Sequence, residues 1–127
     1  VLQRSTSVFV AGRLALAAAD AALSDTDFAA ESVRVVREGR RFLTEALTAM
    51  GCRVYPSQAN FLYVDTGCDP AALAAACKER GLIIRGNFAC TRITVGTPHQ
   101  NGRVVEILRN VMAELRIETV PCSGRGV

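Results

Sequence analysis

Residues 81–97 read GLIIRGNFACTRITVGT, in which two short apolar runs flank a six-residue loop. This pattern predicts two strands that pair as an antiparallel hairpin, with Arg85 and Arg92 opposite each other at its mouth. Like charges in that position destabilise strand pairing, and arginine stays charged at any working pH. A carboxylate or phosphate between the two guanidinium groups would relieve the repulsion. The hairpin therefore indicates an anion-binding site; the alternative is that both side chains extend into water.

Two further strand-like runs precede the hairpin. Residues 52–55 (CRVY) and 60–65 (NFLYVD) are separated by the turn sequence PSQA, which predicts a second antiparallel pair. Alternation along the second run puts its aromatic side chains on one face and its aliphatic side chains on the other. By the same alternation Arg92 points away from the apolar core. Asn60, at the start of the second run, either lines a site or anchors the preceding turn.

Helical signals surround these strands. An alanine-rich segment (11–23) and a segment with apolar residues at helical spacing (27–50) come first. Asp69 and the proline after it start a third helix that ends near Gly81, and the last helix opens at Thr97 with a capping-box sequence. The order of elements predicts an α/β fold, more narrowly an α+β two-layer arrangement in which helices cover a small, mainly antiparallel sheet of about four strands.

The composition favours one globular domain. Half of the 127 residues are hydrophobic and 21% are charged, as in folded domains. The 14 arginines are scattered, the net charge is only +3, and aromatic residues are few, which argues against a nucleic-acid partner. No run of 18 apolar residues occurs, so no membrane partner is predicted.

The five cysteines give no sign of a metal site or of disulfides. Their number is odd, they are widely spaced, and no C-x-x-C or Cys/His pair at metal-ligand spacing occurs. We interpret them as free thiols of a cytoplasmic protein. The single histidine, His99, falls at the start of the last predicted helix, where we expect it at the surface rather than beside a catalytic cysteine.

Several of these segments resemble one family. SQANFLYVD, followed by a helix, RGLIIR, a short loop, RITVGTPHQN and an amphipathic helix, is similar to the C-terminal small domain of the class I/II (fold type I) pyridoxal-phosphate-dependent aminotransferases. The histidinol-phosphate aminotransferases are the most similar group. RLALAAADAALSD at 13–25 resembles the helix that follows the cofactor-binding domain in that family. The resemblance extends over residues 9–116.

The resemblance implies transamination, with pyridoxal phosphate as cofactor and a small anionic amino or keto acid as substrate. Arg92 matches the arginine that grips the acidic group of the substrate, and Arg85 matches the arginine that helps hold the phosphate in histidinol-phosphate enzymes. No catalytic or cofactor-binding residue is implied in this chain, because the family's Schiff-base lysine and phosphate cup belong to the other domain. Lys78, the only lysine, falls near the end of a predicted helix, where it complements the helix dipole. We therefore expect the chain to be inactive by itself and the complete enzyme to be a homodimer that serves histidine biosynthesis.

The resemblance also suggests a domain organisation. Residues 1–26 would form the interdomain helix region, 27–118 the small domain and 119–127 a flexible tail. The chain starts at Val1 rather than at methionine, which we take as the mark of a fragment. Two alternatives stay open. One is a fragment of a threonine-phosphate decarboxylase or of an aromatic aminotransferase; the other is a non-catalytic α/β domain that associates through its alanine-rich first helix.

Overall fold

The computed structural model describes residues 12–86 and 89–118. Its elements follow in the order α1 (Arg13–Ser24), α2 (Thr26–Ala49), β1 (Arg53–Val54), β2 (Phe61–Asp65), α3 (Pro70–Glu79), β3 (Thr91–Thr94) and α4 (Pro98–Glu118). The chain forms two compact units, residues 1–33 and 34–127. The domain boundary after residue 26 stays a prediction, and the expected flexible tail lies outside the described residues. None of the helices within the described ranges combines the length and apolarity that a membrane crossing requires.

The described residues of the first unit, 12–33, are almost entirely helical and bury little. Alanine and leucine make α1 a strong helix former. Asp25, directly after it, accepts a hydrogen bond from the N–H of Phe28 at 2.9 Å, as a helix N-cap does. No residue of α1 is buried. Leu14, Leu23 and Phe28 are 88%, 84% and 70% exposed, so this unit presents large apolar side chains on its surface.

The second unit contains a three-stranded antiparallel sheet in the order β1-β2-β3. The central strand β2 pairs with β1 through Val64 and Val54, and with β3 through Tyr63 and Arg92. The α/β fold with a small antiparallel sheet is confirmed. The expectation of about four strands is wrong, because the described residues form three.

The run before Arg85 does not become a strand. The N–H of Leu82 donates to the carbonyl of Cys77 at 2.9 Å, as part of the end of α3, and so is not available to a strand ladder. Ile83 is 83% exposed, and Arg85 reaches β3 only through an isolated bridge. The run before Arg85 therefore resembles a strand in the sequence but does not form one, because the end of α3 uses a backbone N–H that pairing in a sheet would need.

Helices bury one face of the sheet. As the alternation predicts, Leu62 and Val64 of β2 and Ile93 of β3 point into the core and are at most 1% exposed. They belong to one cluster with the helical side chains Leu43, Leu47, Leu73, Cys77, Leu108 and Val111. Each fully buried aliphatic side chain of this size contributes about 1.5–3 kcal/mol. The aromatic residues of β2 and Arg92 of β3 therefore share the opposite face.

Local signals set the helix ends in this unit. The carboxylate of Asp69 accepts from the N–H of Ala72 at 2.8 Å, so the predicted start of α3 is confirmed. Thr97 and Gln100 form the predicted capping box at the start of α4, with bonds of 2.9 and 3.4 Å. Glycines 51 and 81 follow α2 and α3 in the left-handed region, with φ of 82° and 75°, where a helix commonly ends.

Candidate anion-binding site

Arg85 and Arg92 are directly opposed at the edge of the sheet. The N–H of Arg85 donates to the carbonyl of Arg92 at 3.1 Å, and the N–H of Arg92 donates to the carbonyl of Arg85 at 2.9 Å. Directly opposed residues of an antiparallel pair send their side chains to the same face. The backbone therefore brings both cationic side chains to one face, as expected for the hairpin, although residues 87–88 of its loop lie outside the described residues. Anion binding by the pair stays a prediction.

Arg92 has an aromatic environment rather than an acidic one. Its guanidinium carbon lies 5.1 Å from the ring centre of Phe61, within cation–π range. Tyr63 is its direct partner in the β2–β3 ladder, and the rings of Phe61 and Tyr63 meet edge to face with centres 5.5 Å apart. The Nε atom of Arg92 is buried and finds no hydrogen-bond partner among the described residues. In the described part of the chain no carboxylate pairs with this side chain, so its charge is not neutralised there.

Arg85 is exposed, and the residue after it fixes where its backbone lies. Gly86 is so close to the first turn of α3 that an added Cβ would lie 2.5 Å from the carbonyl carbon of Pro70 and 2.9 Å from the Cβ of Ala74. Glycine is the residue that lets the backbone rest on α3 while Arg85 pairs with Arg92. Sequence reasoning missed this role, since Gly86 is visible in the motif but its contact with α3 is not.

Asn60 is exposed directly before β2 and contributes its backbone to the sheet. Its carbonyl accepts from the N–H of Val95 at 2.8 Å. The turn before it is held by Ser57, whose hydroxyl donates to the carbonyl of Phe61 at 2.7 Å, and by Arg40, which donates to the carbonyl of Ala59 at 2.8 Å. Among the described residues no hydrogen bond joins Asn60 to the arginine pair, and its place in a site stays a prediction.

A shallow cleft lies on the same face of the sheet as Arg92. It is lined by Tyr55, Tyr63, Ala89 and Cys90 and has a volume of about 420 Å³. Arg53 lies over the ring of Tyr55, 5.1 Å from its centre. The face opposite the core therefore carries arginine and aromatic side chains, with Asp65 opposite Arg53 at its other edge. Such a surface can accept an anion together with a flat or apolar group.

Lys78 does not offer an attachment point for pyridoxal phosphate. It is exposed in the last turn of α3. A lysine must be desolvated, or lie beside another cation in a cleft, to be nucleophilic near neutral pH. The residues of this chain therefore do not fit covalent attachment of the cofactor. His99 is likewise exposed, at the first turn of α4.

The described thiols are free, and two of them are buried. Burial raises the pKa of Cys77 from its ordinary value of 9.0 to about 11, against a smaller lowering effect of Arg80. Burial also raises the pKa of Cys52. Neither buried thiol is suited to nucleophilic catalysis, because the reactive species is the thiolate. No group of three or more His, Cys, Asp and Glu side chains within the described ranges is placed to hold a metal ion.

The chain is similar to known aminotransferases over most of its length. The sequence profile of the class I and II aminotransferases matches residues 2–108. Histidinol-phosphate aminotransferase of Nitratidesulfovibrio vulgaris is 39% identical over 116 residues, which are 87% of this chain and 31% of the relative. Histidinol-phosphate aminotransferase 2 of Pseudomonas fluorescens is 39% identical over 118 residues, 89% of this chain and 32% of the relative.

The fold leads to the same family. The crystal structure of histidinol-phosphate aminotransferase from Sinorhizobium meliloti, in complex with pyridoxal-5'-phosphate, superposes with a TM-score of 0.78 at 26% identity. The match covers 90% of this chain and 33% of that one, so the chain spans about a third of the length of the proteins that it resembles. With the profile, the relatives and the fold in agreement, the chain belongs to the class I and II aminotransferase family.

Proposed function

We propose that this chain is the C-terminal, substrate-binding part of a histidinol-phosphate aminotransferase, and that Arg85 and Arg92 bind the phosphate of its substrate. The direct pairing of the two arginines is the observation that carries the proposal. Two cations on one face suit a phosphate, which carries more charge than a carboxylate and accepts bidentate hydrogen bonds. The similarity to histidinol-phosphate aminotransferases over most of the chain supports the same substrate.

In this role the chain binds and orients, and it does not carry out bond chemistry. Arg92 would grip the anionic end of the substrate from the ladder of the sheet, and Arg85 would add a second charge from the bridge. Binding energy from this remote group orients the reacting end of the substrate and so lowers the barrier. Pyridoxal phosphate, bound by the rest of the protein, would supply the chemistry of amino-group transfer. The cofactor, a homodimeric assembly, a cytoplasmic location and a place in histidine biosynthesis are parts of this proposal.

Removal of each arginine in the full-length protein tests the proposal. We expect R92A to lower kcat/KM for histidinol phosphate by a factor that corresponds to a loss of about 2–5 kcal/mol in binding free energy, because truncating one partner of a buried charge pair costs about that much. R85A should lower kcat/KM by a smaller factor. Turnover of histidinol, which lacks the phosphate, should change little in either variant. R53A is the matched control, since Arg53 lies on the same face, but its guanidinium lies over the ring of Tyr55 and its ladder partner is Asp65 rather than a second arginine. Unchanged kinetics of R92A with the phosphorylated substrate would exclude the role.

A non-catalytic, self-associating domain is the second candidate, and the exposure of Leu14 and Leu23 favours it. In that case R85A and R92A would leave anion affinity unchanged, whereas polar substitutions in α1 would change the molecular mass in solution. Threonine phosphate and phenylalanine, assayed beside histidinol phosphate, separate the remaining alternatives within the family. If threonine phosphate were the preferred substrate, the proposal that the complete enzyme transaminates histidinol phosphate would be wrong.

A further inference from the structure

The guanidinium of Arg92 lies over the ring of Phe61. The guanidinium carbon lies 5.1 Å from the ring centre. In the ladder Arg92 is directly opposite Tyr63, and Phe61 is its diagonal neighbour, opposite Thr94. Diagonal neighbours on one face of a sheet are within reach of each other when a side chain is long or aromatic. Tyr63 in turn meets the ring of Phe61 edge to face, at an angle of 82° between the rings.

This contact replaces the polar partners that usually hold an arginine in place. Within residues 12–86 and 89–118 the buried Nε atom of Arg92 has no hydrogen-bond partner. An acidic partner would neutralise the guanidinium and compete with any anionic ligand. A ring face attracts the guanidinium without cancelling its charge. The arrangement therefore restricts the side chain and leaves its full positive charge for a ligand.

We propose that Phe61 is a positioning residue for anion binding. Its ring fixes the plane of the Arg92 guanidinium, and the edge contact with Tyr63 fixes the ring. The guanidinium then does not have to be ordered when the anion arrives, so less conformational entropy is lost on binding. This inference rests on the proposed function, because it concerns the same anion-binding site. Phe61 would orient the guanidinium of Arg92 without contacting the anion itself.

The test compares F61L, F61Y and Y55L in the full-length protein, with inorganic phosphate as competitive inhibitor. F61L removes the ring beneath Arg92, and we expect it to weaken phosphate inhibition about three- to thirtyfold, the range of a cation–π contact. F61Y restores a ring and should restore inhibition. Y55L is the matched control, because it removes the Arg53–Tyr55 contact, which has the same 5.1 Å distance. Phosphate inhibition of each variant is measured against that variant's own turnover of histidinol, which has no phosphate.

A second series of variants keeps the shape of the ring nearly unchanged and alters its electron distribution. Stepwise fluorination of Phe61, through mono-, di- and trifluorophenylalanine, weakens the negative potential of the ring face. Phosphate inhibition should weaken with each fluorine, while the thermal unfolding midpoint stays nearly constant. An inhibition constant that does not follow fluorine number would overturn the inference, as would an F61L variant that behaves like Y55L. If R92A itself leaves phosphate inhibition unchanged, the proposed function fails, and this outcome is distinct from failure of the Phe61 inference alone.

Discussion

The side chain of Asn101 closes a ring of two hydrogen bonds with the backbone of Gly96. Its Oδ1 accepts from the Gly96 N–H at 2.8 Å, and its Nδ2 donates to the Gly96 carbonyl at 2.9 Å. Asn101 is only 1% exposed, and it lies in the first turn of α4. The ring therefore ties the start of this helix to the turn that leaves β3, the strand that carries Arg92.

Replacement of Asn101 by leucine should destabilise the protein. N101L keeps the volume of the side chain but leaves both polar groups of Gly96 without a partner, and each such group costs about 1–3 kcal/mol. We expect the free energy of unfolding in urea to fall by about 2–4 kcal/mol. Q100A, which removes an exposed capping side chain from the same turn, should cost about 1 kcal/mol or less. Equal losses in the two variants would show that the ring is not a special constraint.

Alanine at position 86 should disturb both stability and anion affinity. The new Cβ would overlap Pro70 and Ala74, and overpacking of this kind costs about 1–3 kcal/mol. Since the backbone must move away from α3, the bridge that places Arg85 should weaken, and phosphate inhibition should weaken with it. G102A is the control, because a Cβ on that glycine meets nothing within 4 Å. A G86A variant as stable as G102A would contradict the close approach.

Stability should decrease in alkaline solution because of Cys77. Its thiol has a folded-state pKa of about 11 and an ordinary value of 9.0, so the unfolded chain loses this proton first as the pH rises. The stabilisation is complete below pH 9 and decreases between pH 9 and about 11, by roughly 3 kcal/mol at most. Urea unfolding across this range should show a smaller slope in C77A than in the unaltered protein. Parallel pH profiles would exclude the buried thiol as the cause, whereas the buried Cys52 can sustain a residual slope.

Purified as it stands, the chain of 127 residues should self-associate. Leu14, Leu16 and Leu23 of α1 are between 59% and 88% exposed, and exposed apolar side chains in such density favour association. The double variant L14E/L23E should shift the mass measured by light scattering toward the monomer. R13E/D20K, which changes only charges in the same helix, is the control. A monodisperse, highly soluble monomer of the unaltered chain would count against this prediction.

Treatment of the same chain with pyridoxal phosphate and then borohydride should not label Lys78 specifically. This lysine is exposed to solvent in the last turn of α3 rather than desolvated in a cleft. Peptide mass mapping should find at most low, concentration-dependent modification. Stoichiometric labelling at Lys78, together with an absorbance band of bound cofactor, would give this chain a cofactor site of its own.

Local chemistry explains which structural features were accessible from the sequence. Asp69 and Thr97 start helices through hydrogen bonds to backbone groups three residues away, so a short stretch of sequence is enough to predict them. The alternation of Leu62 and Val64 with aromatic residues likewise needs only the two-residue period of a strand. The opposition of Arg85 and Arg92 follows from a short loop between two apolar runs.

Other features depend on contacts between distant residues. The run before Arg85 has strand-like composition, but the end of α3 uses the Leu82 amide, and Gly86 rests on Pro70. The contact of Phe61 with Arg92 requires the register of two strands whose residues are 31 positions apart, which no local pattern specifies. Exposure of Phe28, which has helical spacing relative to core residues, also departs from what an amphipathic pattern favours.

The two arginines are anchored to the sheet with very different strength. Four residue pairs hold β3, and Arg92 with it, to the central strand, whereas Arg85 is joined by a single bridge. Two backbone hydrogen bonds must break to free Arg85, whereas movement of Arg92 disrupts the ladder as a whole. Departure of a bound anion should therefore begin with Arg85, and its amide should exchange hydrogen faster than those of β3. In kinetic terms, Arg92 would mainly determine the affinity for the ligand, and Arg85 would mainly determine its dissociation rate.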